Sequence, residues 1–273
     1  MIYANKNSGG SALSTFTLPL RNKQKPLQTF PYKLSHPSPK PQQDASHPHQ
    51  VLLDPTGSFI LVPDLGADII RVNAIDKASG KLRTCPKIPF KAGSGPRHGV
   101  FWTGESGKEG ETMLYTVSEL GGNLTAFSVD YDHGKDGCPV FNEMQSMVPY
   151  KDGNLPEGAT PSGIMLKGGL IYVSIRSDQG FAPSDSMVTL TRADDGTVAF
   201  RDLSSSYGKV PRTFVINKAG DLVAIGNQAS SNVVIVSRDI ESGKLGEKVA
   251  SLQVGEPGTV GQPEGLSSVI WDE

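Results

Sequence analysis

A short phrase recurs five times along this chain: a proline, then one polar or charged residue, then a run of small and apolar residues. It reads Pro48-His49, Pro96-Arg97, Pro161-Ser162, Pro211-Arg212 and Pro263-Glu264, with steps of 48, 65, 50 and 52 residues between the prolines. A period near 50 is the signature of a propeller or another stacked array. Each period holds short β-rich runs separated by Gly, Asp, Asn and Pro. The second unit gives a strand start at His49, the turn DPTG, the strand FILVPD, the turn LGAD and the strand IIRVNAID. KASGK turns again, and LRTCPKIPF makes a fourth strand. Later units repeat this as MLYTVSE and LTAFSVDY, then LIYVSIR and SMVTLTR, then LVAIGN and VVIVSRD. Alternating runs bounded by turn residues predict hairpins. Four strands per unit predict an all-β chain of antiparallel propeller blades, about five blades' worth in all. A single domain over 1–273 is expected.

The ends read as partial units. IYANKNSGGSALSTFTL matches the second and third strands of a blade, and GLSSVIW a first strand alone. Either the ends pair and close a small ring, or the chain is an arc with open edges, a liability for aggregation. The segment 24–47 is rich in Pro, Lys, Gln and Ser and reads as a surface loop. Cys85 and Cys138 each precede a proline in the tails of adjacent repeats, and free buried thiols are expected of them. That fits a reducing compartment and a cytoplasmic protein. The formal net charge of −2 offers no basic footprint for nucleic acid. No apolar run is long enough to span a membrane, and the opening MIYANKNSGG lacks the pattern of a secretory signal.

The repeat also places chemistry. In a blade, the start of strand one and the end of strand two lie on the same face. Strand one begins with His49, Arg97, Ser162, Arg212 and Glu264, and strand two ends with Lys6, Asp64, Glu119, Arg176 and Gln228. These ten residues are expected to ring one mouth of the channel. Ser11, Asp68, Asn123 and Asn232 at the neighbouring turns read as hairpin caps. Arginines at a mouth suit a small anionic substrate, because a guanidinium grips carboxylate or phosphate through two hydrogen bonds. A histidine and a glutamate beside them suit proton transfer at neutral pH. In HPH, His47 and His49 point to opposite faces of an extended strand, so only one enters a shared site. A calcium site from Asp64, Glu119 and Asn123 is a minor alternative; otherwise no metal and no cofactor is expected. The chain has no G-x-S-x-G elbow and no phosphate loop of the Walker type.

The phrases HPHQVLLDPTGSFILVPDLGAD, GSGPRHGVFW, LYTVSELGGNLTAF, LIYVSIRSD and INKAGDLVAIGNQASSNVVIVSRD resemble the lactonase family of seven-bladed propellers. That family includes bacterial 6-phosphogluconolactonase and fungal carboxy-cis,cis-muconate cyclase, and DPTG, VPDLGAD, GPRH and VIWDE look closest to the fungal branch. The resemblance implies His49, Arg97, Glu119 and Arg176 as catalytic residues; His98, Arg212, Asp64 and Gln228 are expected to line the substrate. It also implies further strands before the first residue, a blade and a half to two blades. The reaction expected is lactone hydrolysis, with arginines holding the anion and Glu119 or His49 moving the proton. Muconate cyclisation is the alternative within the family, and a non-catalytic binding platform the alternative outside it.

Overall fold

In the computed structural model the described residues are 2–5, 10–34, 39–104 and 112–273. Among them every regular element except three short 3-10 turns is a strand. Five antiparallel sheets follow one another along the chain. The first holds β1 (Ile2–Asn5), β2 (Gly10–Thr15) and β3 (Gln28–Tyr32). The second holds β4 (Leu52–Leu53), β5 (Phe59–Asp64), β6 (Ile69–Ile75) and β7 (Leu82–Thr84), with β8 (Ile88–Pro89) also on β6. The third holds β9 (Pro96–Thr103), β10 (Thr112–Ser118), β11 (Asn123–Asp130) and β12 (Val140–Met147). The fourth holds β13 (Thr160–Lys167), β14 (Leu170–Arg176), β15 (Ser186–Arg192) and β16 (Val198–Ser205). The fifth holds β17 (Pro211–Ile216), β18 (Leu222–Asn227), β19 (Asn232–Arg238) and β20 (Leu245–Gln253). Strands adjacent in sequence are adjacent in the sheet, the meander of a propeller blade. The fourth strand of the second sheet is shorter than the sequence suggested, because Cys85-Pro86 interrupts it.

The chain packs as two compact units, Met1–Gly121 with Phe127–Glu143, and Gly122–Ala126 with Met144–Glu273. Each has its own core. Leu61, Ile70, Val72, Leu114 and Phe127 centre the first, and Tyr172, Met187, Ile225, Val234 and Val236 the second. The central strands read as near-continuous apolar runs because both of their faces are covered. Turn chemistry fixes the hairpins. Asp54 accepts from the N–H groups of Ser58 and Phe59 at 2.8 and 2.7 Å. Asn217 does the same for Gly220 and Leu222 at 2.9 and 3.0 Å. Asp76 and Asp239 sit at the same place in the turns that close with Gly80 and Gly243, both at positive φ. No described helix is long and apolar enough to cross a membrane.

Three expectations are corrected. Cys85 and Cys138 are a disulfide, not free thiols. Their positions one repeat apart lie on neighbouring blade tails, which brings the Cα atoms within 5.7 Å. The cysteine argument for a reducing compartment, and so for a cytoplasmic place, therefore fails. The segment 24–47 is not all loop: Gln28–Tyr32 forms the outer strand β3 with alternating burial, and Pro31 is tolerated because the strand is an edge. GLSSVIW forms no strand. The tail is pinned instead by Trp271, whose Nε1–H donates to the Val215 carbonyl at 3.1 Å, and by Glu273, which accepts from the Lys218 N–H.

The loop after β14 is anchored by two buried acids. Asp178 accepts from the Tyr150 hydroxyl at 2.8 Å and the Ser186 N–H at 2.9 Å, and Asp185 from the N–H groups of Gln179 and Val210 at 3.0 and 2.6 Å. Burial pushes the Asp178 carboxyl up, against hydrogen bonds from Ser186 and Tyr150 that lower it. Burial and then Asp178 push the Tyr150 phenol up to about 12.

Two outcomes are expected. Alkylation without reductant labels no thiol, and reduction of the 53-residue crosslink lowers the thermal midpoint, with a loss of about 2–4 kcal/mol. The raised Asp178 carboxyl means the folded state keeps a proton that the unfolded chain releases, so this group's contribution to stability is lost as pH rises above the ordinary carboxylate value. Asp178→Asn should gain stability relative to the parent between about pH 3 and 7; a constant difference across that range refutes it.

Candidate functional site

The recurring Pro-X pair is a structural device. Four of the five prolines pair with the end of the second strand, Pro48 with Asp64, Pro96 with Ser118, Pro161 with Ile175 and Pro211 with Asn227, whereas Pro263 lies in the strandless tail. In these four sheets one extra residue is accommodated between the proline and the next paired residue of its strand. The register passes from Pro96↔Ser118 to His98↔Val117, skipping Arg97, and from Pro211↔Asn227 to Thr213↔Gly226, skipping Arg212. Pro161↔Ile175 gives way to Ile164↔Val173. In the second sheet Pro48↔Asp64 gives way to Leu52↔Leu61. A bulge re-aims the residue it contains, and proline is at home there because it has no N–H to offer the ladder. At Pro96 and Pro211 the residue singled out by the repeat, Arg97 or Arg212, is thus the one that the ladder skips, whereas His49 still donates its N–H to the Pro63 carbonyl at 2.9 Å.

In the first unit this brings His49, Arg97, His98 and Glu119 together. Arg97 is buried, with 1% of its side chain exposed, and its Nε donates to Glu119 Oε2 at 2.7 Å. Its Nη1 lies 3.1 Å from His98 Nδ1 and 3.4 Å from Nε2. His98 Nε2 lies 3.2 Å from His49 Nδ1, and the two rings meet edge to face with centroids 4.9 Å apart. Guanidinium has donors only, so the nearer contact makes His98 Nδ1 an acceptor. With His98 Nδ1 as the acceptor, a proton on its Nε2 would be donated to His49 Nδ1, and the His49 proton would then lie on Nε2. Glu119 remains the acceptor of the set. His47 turns away and pairs with Asp44 at 2.7 Å, as the strand alternation required.

Two residues outside the predicted site hold this array, Gln50, which the sequence did not single out, and Asp68. Gln50 clasps the neighbouring first strand: its Nε2 donates to the Gly99 carbonyl at 3.2 Å, and its Oε1 accepts from the Gly99 N–H at 2.7 Å. That fixes His49 against His98 one residue away on each strand. Asp68, read as a hairpin cap, also accepts from the N–H groups of Gly93 and Gly95 at 2.8 and 2.7 Å, holding the loop before Arg97. The position of Gln50 beside His49 in the repeat was its one available signal.

Asp64 is corrected. It is fully buried, and its carboxylate accepts from Arg71 at 2.7 Å, Ser46 Oγ at 2.5 Å and the N–H groups of His47 and Ala67 at 2.8 and 3.1 Å. Its lone pairs serve the framework rather than a substrate. With Glu119 bound to Arg97 and Asn123 donating to Ser146 Oγ at 3.0 Å, each member of the alternative calcium set has its own protein partner. Lys6 lies outside the described residues.

The second unit has its own polar set. Arg176 donates to Thr160 Oγ1 at 2.9 Å, directly across the first and second strands. Arg212 Nη1 approaches Gln228 Oε1 at 3.4 Å, and the fully buried Ser162 hydroxyl donates to the Arg212 carbonyl at 2.9 Å. Glu264 accepts from the Thr259 N–H at 3.1 Å within the tail.

The sequence matches the family described as "Lactonase, 7-bladed beta-propeller" over residues 2–261. It is 32% identical over 256 residues to a protein of Arthroderma benhamiae named "Probable 6-phosphogluconolactonase", covering 92% of this chain and 62% of that one. It is 30% identical over 210 residues to the 6-phosphogluconolactonase of Formosa agariphila, covering 76% of this chain and 55% of that one. Among solved structures, the periplasmic gluconolactonase of Pseudomonas aeruginosa superposes with a TM-score of 0.67 at 26% identity, over 86% of this chain and 61% of that one. A Lactobacillus plantarum protein superposes at 0.74 and 24% identity, over 94% of this chain and 68% of that one, which speaks for the fold alone. The chain thus spans about 55–62% of the two named relatives. With the period, the blade meander and this match in agreement, the chain belongs to the lactonase family of seven-bladed β-propellers.

Proposed function

We propose that this chain carries the hydrolytic centre of a lactonase that opens a small anionic sugar lactone such as 6-phosphogluconolactone. The observation that carries the reading is the Arg97–Glu119 ion pair joined through His98 to His49, a fixed sequence of donors ending in one proton acceptor. Relatives named 6-phosphogluconolactonase support the reaction class. Neither the site nor these relatives favours muconate cyclisation over it.

The geometry divides the roles. Glu119 is the base: one carboxylate oxygen is held by Arg97, and the carboxylate takes the proton of a water attacking the lactone carbonyl carbon. His49 presents Nε2–H to the carbonyl oxygen as negative charge develops there. It does not serve as the base, because its Nδ1 is occupied by the His98 proton and its Nε2 already bears one. The water oxygen bonds to carbon, the ring C–O bond breaks, and the proton held by Glu119 passes to the departing ring oxygen to give the hydroxy acid. Arg97 is a positioning residue here. Buried behind Glu119 and His98, it fixes the ionised state of one and the tautomer of the other, rather than gripping substrate as its sequence motif suggested. Arg176 and Arg212 in the second unit are proposed as anion-holding groups in their own right.

Glu119→Gln should cost at least about 100-fold in kcat against 6-phosphogluconolactone, measured on folded protein, and should also lower the thermal midpoint because it leaves the buried Arg97 cation without its carboxylate. Turnover within about threefold of the parent refutes the assignment of the base. Gln50→Ala, which frees the His49 strand from the His98 strand, should lower kcat roughly tenfold while leaving KM nearly unchanged. A rise in KM alone would mean that Gln50 meets substrate instead of positioning His49.

A further inference from the structure

The outer strands of the blades share a feature that bears on partners and goes beyond the lactonase reading. Leu82, Val198 and Leu245 are equivalent: each opens the fourth strand of its blade, paired with Ile75, Arg192 and Arg238 respectively. The hairpin bond beside each is the same, from Asp76 N–H to Lys81, Ala193 N–H to Thr197, and Asp239 N–H to Lys244 carbonyls at 2.8, 2.8 and 3.0 Å. In that register the N–H and C=O of the opening residue face away from the sheet.

At two of the three positions a glutamine occupies this outward pair. Gln28 accepts from Leu82 N–H at 2.7 Å and donates to its carbonyl at 3.0 Å. Gln145 accepts from Val198 N–H at 2.7 Å and donates to its carbonyl at 3.0 Å. At Leu245 no such clasp is found among the described residues. The residue of β16 that corresponds to Gln145 in β12, the sixth of its strand, is Leu203. A groove of about 1010 Å³ stands at this place, lined by Leu203 and Ser204 on one side, Lys244 and Leu245 on the other, and Tyr207. Beyond it β20 is an edge strand exposed along its length, with Val249 and Leu252 60% and 66% exposed.

We propose that this groove receives a glutamine side chain carried on an extended segment of a partner protein, its carboxamide seated on the N–H and C=O of Leu245. The chain demonstrates the required chemistry twice in its own clasps. An extended segment is favoured over a free amide because the seat continues into the open edge of β20, whose main-chain groups and exposed Val249 and Leu252 a strand would cover. The groove wall carries Asp202, Asp239 and Glu247 against Arg238 and Lys244, so no strongly charged ligand is called for.

The test uses a labelled synthetic peptide with the sequence of residues 140–150, VFNEMQSMVPY, which seats Gln145 within the chain. Expected are saturable binding in fluorescence anisotropy, shifts of the Leu245 and Gly246 amides in deuterated, ¹⁵N-labelled protein, and an affinity about tenfold lower for the peptide with leucine in place of its glutamine. Leu203→Gln, which supplies a carboxamide from within, should abolish binding while leaving lactone turnover unchanged. The proposal is overturned by absence of saturation up to about 1 mM peptide, by equal affinity for the leucine peptide, or by shifts confined to other strands. It is also overturned if the protein sediments as a dimer that the peptide does not dissociate, since a second copy then occupies the edge. The binding, amide-shift and sedimentation readouts do not depend on the lactonase assignment.

Discussion

One backbone irregularity organises this protein: an extra residue inserted shortly after a proline where the first strand of a blade meets the end of the second. Strand pairing is a period-two system, and an uninterrupted ladder would send alternate side chains to fixed faces. The inserted residue escapes that alternation. Because an insertion follows Pro48, Pro96, Pro161 and Pro211, four of the five sheets carry a polar residue directly after the proline, close to the irregularity. The scaffold therefore repeats while the chemistry varies, from His49 to Arg97 to Ser162 to Arg212.

Much of this was legible in the sequence because its causes are local. Turns such as DPTG and NKAGD announce themselves through an Asp or Asn that satisfies two N–H groups, and central strands through apolar runs. Glycine is forced where backbones crowd: a Cβ on Gly66, in the LGAD turn, would collide with the Ala45 carbonyl. What the sequence hid depends on which side chain fills which gap. The bond between Cys85 and Cys138 follows from the adjacency of blade tails, which spacing alone does not encode. Gln28–Tyr32 was hidden by Pro31, a residue that argues against strands in general but not against an edge.

Asp64 and Arg97 show a second limit. Both stand where the repeat places site residues, and both are charged, yet the structure gives them partners that decide their work. Asp64 is enclosed by Arg71, Ser46 and two N–H groups, and becomes the knot that ties the approach to His49. Position in a repeat therefore identifies the shell of a site but not which members face outward. That distinction belongs to packing, where a buried ionic group is stable only with its charge compensated and its hydrogen bonds met.

The burial of Arg97 has a chemical consequence for how such a centre functions. An exposed arginine would hold substrate weakly against water and salt. Buried, it cannot exchange Glu119 for solvent without leaving a cation unpaired, so the carboxylate is held in one orientation before substrate arrives. In the proposed mechanism the same cation holds His98 Nδ1 as an acceptor, and the 3.2 Å contact then selects which nitrogen of His49 is the donor. On the proposed reading one guanidinium thus orders an acid-base pair at two removes, with the reorganisation completed during folding rather than during the reaction.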